Sequence, residues 1–274
     1  MAGVAVVTGA SRGGGKAIAL ELGAAGWTVF VTGRTTRTSP SPEGMPGTIE
    51  DTADEVTSAG GRGIPIRCDH TKIDEIDALA DRVRSETQQL SLLVNNAWGG
   101  YEGHRVAEFS RPFWEQPLSA WDRMFTAGVR AALWTSSRLS PLMIARRAGL
   151  VVQTVAWLRG VYLGNLYYDA AKAALIRLTE GMAGELRPYG VAAVAVAPGF
   201  MRTERVMAAH RASPFDLSGT ESPTYLGRAV RALASDPRIL EKSGKLVYVG
   251  DLAKEYKLTD VDGTQPPPSG TVGT

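Results

Sequence analysis

A doubly wound α/β fold, with a parallel sheet flanked by helices on both faces, is what this sequence predicts, and three observations predict it. Short β-branched runs recur along the 274 residues. Longer Ala-rich stretches with helical periodicity separate them, and the first run leads into a glycine-rich turn that opens a helix.

Seven runs read as strands: VAVVTG (4–9), WTVFVTG (27–33), GIPIRCD (63–69), LLVNNA (92–97), GLVVQTV (149–155), VAAVAVAPG (191–199) and GKLVYVGD (244–251). Their uniform apolarity predicts burial on both faces, as in a parallel sheet. Helical patterns fill about 14–25, 49–60, 73–88, 118–147, 166–187 and 225–235. The sequence therefore predicts a seven-stranded Rossmann fold as one domain over residues 1–263. The closing TQPPPSGTVGT (264–274) has too few apolar residues to pack and is expected to be a loose tail.

Two connections exceed the usual length of about 2 to 6 residues. One is RTTRTSPSPEGMPGT (34–48), and the other is WGGYEGHRVAEFSRPFWEQPLS (98–119). In an open α/β sheet the ligand crevice lies beyond the carboxyl ends of the strands, so the second loop is expected to hang over it. Its Phe113 and Trp114 are either a substrate wall or a subunit contact.

Charge and composition exclude several classes. The 30 basic and 28 acidic side chains leave a net charge of +2, which offers no field to gather nucleic acid or an acidic membrane. No apolar run reaches the roughly 18 to 20 residues of a membrane span. The single cysteine, Cys68, has no disulfide partner, and the chain starts on a strand pattern without a leader-like segment, so the cytoplasm is the expected location. His70, His104 and His210 lie far apart, and no metal site is expected.

The turn VVTGASRGGGKAIALEL stands between a strand and a helix, the setting that a dinucleotide site requires. Gly9, Gly13 and Gly15 remove Cβ atoms where backbone must approach a pyrophosphate whose charge rests on the helix N-terminus. At the end of the second strand an NAD-specific site would present an acid, but VTGRTTR offers Arg34 instead, and Arg12 lies in the glycine loop. Guanidinium groups suit a 2′-phosphate, which favours NADP(H) and leaves NAD(H) possible.

In NLYYDAAKAAL (165–175) Tyr168 stands four residues before Lys172, on the same helical face, whereas Tyr167 does not share it. A cation one turn away favours a phenolate and so suits acid/base work. With 8 tyrosines, such a pair arises by chance roughly 0.2 times in a chain of this composition. Its place at the head of the helix after the fifth strand carries the argument.

Taken jointly, TGASRGGG (8–15), CD (68–69), NNA (95–97), YDAAK (168–172) and PGFMRT (198–203) resemble the short-chain dehydrogenase/reductase family from Val4 to about Asp262. FWEQP (113–117) and SGKLVYVGDLAKEYKLTDVDG (243–263) are similar to its dehydrogenase/reductase member 1-like subgroup. The resemblance implies that Gly9, Ser11, Arg12, Gly13, Gly14, Gly15 and Arg34 hold the cofactor phosphates. It further implies Asp69 at the adenine edge, Asn95 and Ala97 along the cofactor channel, and Thr203 after Pro198 and Gly199 at the carboxamide. Tyr168 becomes the proton donor and acceptor. Lys172 becomes the ligand of the nicotinamide ribose, its ammonium lowering the phenol's pKa. A homodimer or homotetramer built on the fourth and fifth long helices is also implied.

Two positions depart from the family pattern. Ala156 stands where the family's fifth strand carries a catalytic serine, and the loss of such a donor is worth on the order of 3 kcal/mol, about a hundredfold in rate. Thr154 is about 6 to 7 Å further back on the same face, which leaves Trp157, Asn165 or a water to supply the bond. Gly128 stands where an asparagine usually positions a water. The leading expectation is an NADP(H)-dependent oxidoreductase acting on a carbonyl or secondary alcohol. The alternative is a nucleotide-binding protein with little turnover, a sensor or scaffold, and a third reading is a lyase or epimerase, which the glycine spacing disfavours.

Overall fold

The computed structural model describes residues 3–103 and 109–268. All seven expected strands form, as β1 (Val4–Thr8), β2 (Thr28–Gly33), β3 (Arg62–Arg67), β4 (Leu92–Asn95), β5 (Gly149–Thr154), β6 (Val191–Ala197) and β7 (Leu246–Tyr248). They build one sheet in the order β3-β2-β1-β4-β5-β6-β7, and every pairing is parallel. The chain reverses its direction of travel between β1 and β4, which places the crevice beyond their carboxyl ends.

Around the sheet run α1 (Gly13–Ala24), α2 (Ile49–Ser58), α3 (Ile73–Thr87), α4 (Leu118–Met124), α5 (Ala131–Arg146), α6 (Leu166–Leu186), α7 (Glu204–Ala212), α8 (Pro223–Ala234) and α9 (Val249–Tyr256). Alternation along each strand feeds two cores. Val7, Val31 and Val94 meet Ile18 and Leu22 of α1 and Leu226 of α8 on one side. Val6, Phe30 and Leu93 meet Leu79 of α3 and Leu139 of α5 on the other. Each such fully buried side chain contributes about 1.5 to 3 kcal/mol relative to exposure.

The expectation that all strands are buried on both faces fails at β3. It is an edge strand, and its Arg62 and Arg67 are exposed. The long fourth helix, expected as one piece over 118–147, is α4 and α5 joined by a π-helical stretch, Phe125–Arg130. The run at 244–251 is strand only to Tyr248, after which Val249 opens α9. Helix α7 was not legible: it buries none of its residues, so it has no apolar stripe to read. The loose tail expected from residue 264 is corrected for its first part. There Pro266 O accepts from Tyr225 (3.4 Å), and the Gln265 amide donates to Ala253 O (3.3 Å) and Leu258 O (2.7 Å). Residues 269–274 lie outside the described residues. Among the described residues no helix is long and apolar enough to cross a membrane.

Candidate active site

The glycine loop sits at the switch point. Gly9 has φ +63°, and a Cβ there would stand 2.7 Å from Ala97 Cα, so the turn after β1 and the end of β4 touch backbone to backbone. A Cβ on Gly15 would fall 2.4 Å from Gly9 O. These close approaches leave room for glycine alone, and they keep the first turn of α1 open as a cradle for an anion.

An anion already rests there. The carboxylate of Glu204, first residue of α7, accepts from Gly13 N at 2.9 and 3.2 Å, a stand-in for the pyrophosphate at a helix N-terminus. The two arginines expected to hold a 2′-phosphate are close enough to repel one another, yet both have protein partners. Arg34 pairs with Glu102. Arg12 donates to Pro46 O (2.8 Å), Gly47 O (3.0 Å) and Met45 O (3.4 Å), tying the 34–48 loop down over the glycine turn. Burial lowers the Arg12 pKa, and Glu204 opposes that shift. Glu43, from the same loop, pairs with Arg205 of α7.

The remaining expected cofactor residues line the same edge. Ser11 is buried in the turn, and a Cβ on Gly14 would meet Asn96 Oδ1 at 3.3 Å. Asp69 accepts from Thr71 N (3.0 Å) and Thr71 Oγ1 (2.7 Å). Asn95 donates to Ser136 Oγ (2.8 Å), and Ala97 N to Thr8 Oγ1 (2.9 Å). After Pro198, a Cβ on Gly199 would sit 2.7 Å from the Glu221 carboxylate. Thr203 caps α7 by accepting from Val206 N at 3.3 Å.

Tyr168 and Lys172 both lie on the buried face of the first turns of α6, which Asn165 caps by accepting from Tyr168 N at 2.9 Å. Lys172 Nζ is 5.3 Å from the Tyr168 ring centroid. Tyr167 points elsewhere, donating to Phe113 O at 3.2 Å.

Three aromatic rings from the 98–119 loop close around Tyr168: Trp98 and Phe109 edge-on at 5.3 and 5.4 Å, and Tyr101 stacked at 5.9 Å. Tyr101 is also near enough to perturb the Tyr168 phenol. Trp98 follows Ala97 directly, so it links the glycine turn to the α6 pair, and its indole face lies 3.8 Å from Lys172 Nζ.

The electrostatics differ from the sequence expectation. Burial raises the Tyr168 phenol well above 10, and Tyr101 adds to the effect. Burial lowers the Lys172 ammonium to about 7, against the pull of the indole face toward the charged form. Desolvation therefore outweighs the expected lowering of the phenol by the ammonium.

Ala156 packs in the same aromatic cluster as Tyr168. Asn165, one candidate for the missing serine's donor, is engaged: its amide donates to Phe109 O (2.6 Å) and Gln116 Oε1 (3.0 Å). Trp157 belongs to a different cluster, with Ile176 and Leu246, and Thr154 Oγ1 turns back to Asn95 O (3.3 Å). Gly128 lies in the π-helical stretch, and a Cβ there would stand 2.5 Å from the Trp98 ring. Its bareness houses the indole. Sequence reasoning missed Trp98, Tyr101 and Glu204, although the aromatic loop that carries the first two was visible. Among the described residues no cluster of three or more potential metal ligands exists; His104 lies outside them.

Comparison with known proteins places these residues in context. Residues 3–213 match the family described as short chain dehydrogenase. Dehydrogenase/reductase SDR family member 1 of Mus musculus is 38% identical over 272 residues, 95% of this chain and 83% of that protein. A short chain dehydrogenase structure from Mycobacterium thermoresistibile superposes with a TM-score of 0.83 at 24% identity, covering 99% of this chain and 95% of that one. A metagenomic short-chain oxidoreductase solved in complex with NADP gives a TM-score of 0.70 at 27% identity, over 90% and 95% of the two chains.

Proposed function

Because the chain belongs to the short chain dehydrogenase family, we propose that it is an NADP(H)-dependent oxidoreductase for a carbonyl or secondary alcohol. The observation that carries the reading is the buried Tyr168 and Lys172 pair on α6, joined through Trp98 to a glycine turn that already accommodates an anion. The bound dinucleotide supplies a hydride to carbon or takes one from it.

The chain's own groups do the rest. Gly13 to Gly15 at the head of α1 receive the pyrophosphate in place of the Glu204 carboxylate, and Arg34 and Arg12 favour a 2′-phosphate once Arg34 leaves Glu102. Lys172 holds the ribose hydroxyls when Trp98 yields its place. Polar partners and an ammonium then replace apolar surroundings, which brings the phenol down from its raised pKa. Tyr168 moves the proton to or from the substrate oxygen. A cytoplasmic homodimer or homotetramer accompanies this reading.

The test is a panel of aldehydes and ketones with NADPH, read by nicotinamide absorbance, on wild type and Tyr168→Phe. Turnover by wild type and its loss in the variant support the proposal. Tight NADPH binding with no turnover in either favours the second reading, a nucleotide-binding sensor or scaffold, for which Ala156 is the observation.

A further inference from the structure

We propose that Tyr101 is a catalytic residue, its phenol donating to the substrate oxygen in the role that Ala156 leaves empty. The inference rests on the oxidoreductase reading above and deepens it. The family mechanism needs two donors on one oxygen, one that delivers a proton and one that stabilises the developing charge. The fifth strand offers only the methyl of Ala156 at the second place.

Geometry narrows the substitutes. Asn165 spends its amide on Phe109 O and Gln116 Oε1, at 2.6 and 3.0 Å, while its carbonyl caps α6. Thr154 Oγ1 turns back to Asn95 O at 3.3 Å, and Tyr167 donates to Phe113 O at 3.2 Å. Trp157 packs away from the site, against Ile176 and Leu246. Tyr101 is different. Its ring lies 5.9 Å from that of Tyr168 at only 26°, in the cluster that also holds Ala156, so the two phenols stand side by side.

A carbonyl oxygen seated where two phenols so stacked converge accepts a hydrogen bond from each. That is the arrangement the missing serine would have made with the tyrosine of α6, reached here from the loop after β4. Tyr101 keeps its proton throughout, so the reaction still moves one hydride to carbon and one proton from Tyr168 to oxygen. Substrate binding in this view inserts the carbonyl oxygen at the junction of two phenols, and the loop that carries Tyr101 becomes part of the chemistry.

The experiment compares wild type, Tyr168→Phe, Tyr101→Phe, Trp98→Phe and Tyr101→Phe/Ala156→Ser with NADPH and the carbonyl panel. Phenylalanine at 101 keeps the ring packing and removes only the hydroxyl. The expected result for Tyr101→Phe is a fall in kcat of about a hundredfold, with NADPH affinity and Tm near wild type. Restoring a hydroxyl through Ala156→Ser should recover at least about tenfold of that loss. An ultraviolet titration of tyrosinate in the cofactor-free protein gives an independent readout: Tyr101→Phe should move the Tyr168 transition. A Tyr101→Phe enzyme as fast as wild type, while Tyr168→Phe is inactive, overturns the inference and leaves the oxidoreductase reading standing. A loss that appears in Trp98→Phe alone overturns it in favour of the buried, unpartnered indole N–H. Absence of turnover in every protein, wild type included, overturns both.

Discussion

Replacing Gly128 by alanine adds one carbon at a point where the Trp98 ring already stands. The new Cβ would meet Trp98 Cζ3 at 2.5 Å and Cε3 at 2.8 Å, whereas carbon atoms rest at about 3.5 to 4.0 Å. The indole therefore has to move by about 1 Å, and its surroundings resist. Lys172 Nζ presses on its face at 3.8 Å, Tyr168 stands edge-on at 5.3 Å, and Tyr101 lies 6.1 Å away. Overpacking of this kind costs about 1 to 3 kcal/mol, and alanine returns about 0.5 to 1 kcal/mol of helix propensity. The balance is a loss centred on about 1 kcal/mol and reaching about 2.5 kcal/mol, or a Tm lower by roughly 2 to 4 °C at the centre of that range in a chain of this size. Thermal denaturation followed by circular dichroism reads it. Trp98→Phe in the Gly128→Ala background should recover much of the loss, because the two changes share one contact. A Gly128→Ala protein at least as stable as wild type would refute the claim that this glycine exists to house the indole.

Further outcomes follow from the closed groove and the core. Glu204→Gln removes the negative charge from the head of α1, so NADPH affinity should rise severalfold by isothermal titration calorimetry; unchanged affinity would mean that the carboxylate at Gly13 N does not compete with phosphate. Arg34→Ala should weaken NADPH far more than NADH, and equal weakening would argue against a 2′-phosphate contact. His70 is buried between Thr32 Oγ1 (2.8 Å) and Thr135 Oγ1 (2.9 Å), and burial pushes it from 6.5 down to about 4. The unfolded chain therefore takes up this proton first as pH falls, and stability is lost between pH 6.5 and about 4, by about 3 kcal/mol at roughly 1.4 kcal/mol per tenfold change in proton affinity. Urea titrations at several pH values should show a flatter acid limb in His70→Asn.

The sheet was legible because its signals are local. Each apolar run is long enough to mark a strand, and the Gly-rich turn after β1 carries its own setting. Tyr168 could be chosen over Tyr167 from helical spacing alone, and the two side chains diverge as that spacing requires. What escaped reading depends on contacts between distant positions. Glu204 reaches Gly13 across 191 residues, and Glu102 reaches Arg34 across 68. No periodicity reports such pairs. The π-helical stretch around Gly128 was hidden for another reason: it packs against the ring of Trp98, 30 residues earlier in the chain, a contact that no local pattern reports. The edge position of β3 is a property of the whole sheet order, so the apolar look of its Ile64 and Ile66 misled.

The amide of Asn165 has a consequence for how this fold accommodates change. One side chain fastens the head of α6 while gripping Phe109 O, and Gln116 completes the knot by donating to Arg111 O at 2.7 Å. The far end of the aromatic loop is thus riveted to the helix that carries the phenol. Exchanges in this loop at positions other than Trp98 and Tyr101 can therefore reshape the mouth of the site without tilting that helix, so part of the selectivity is free to evolve apart from proton transfer.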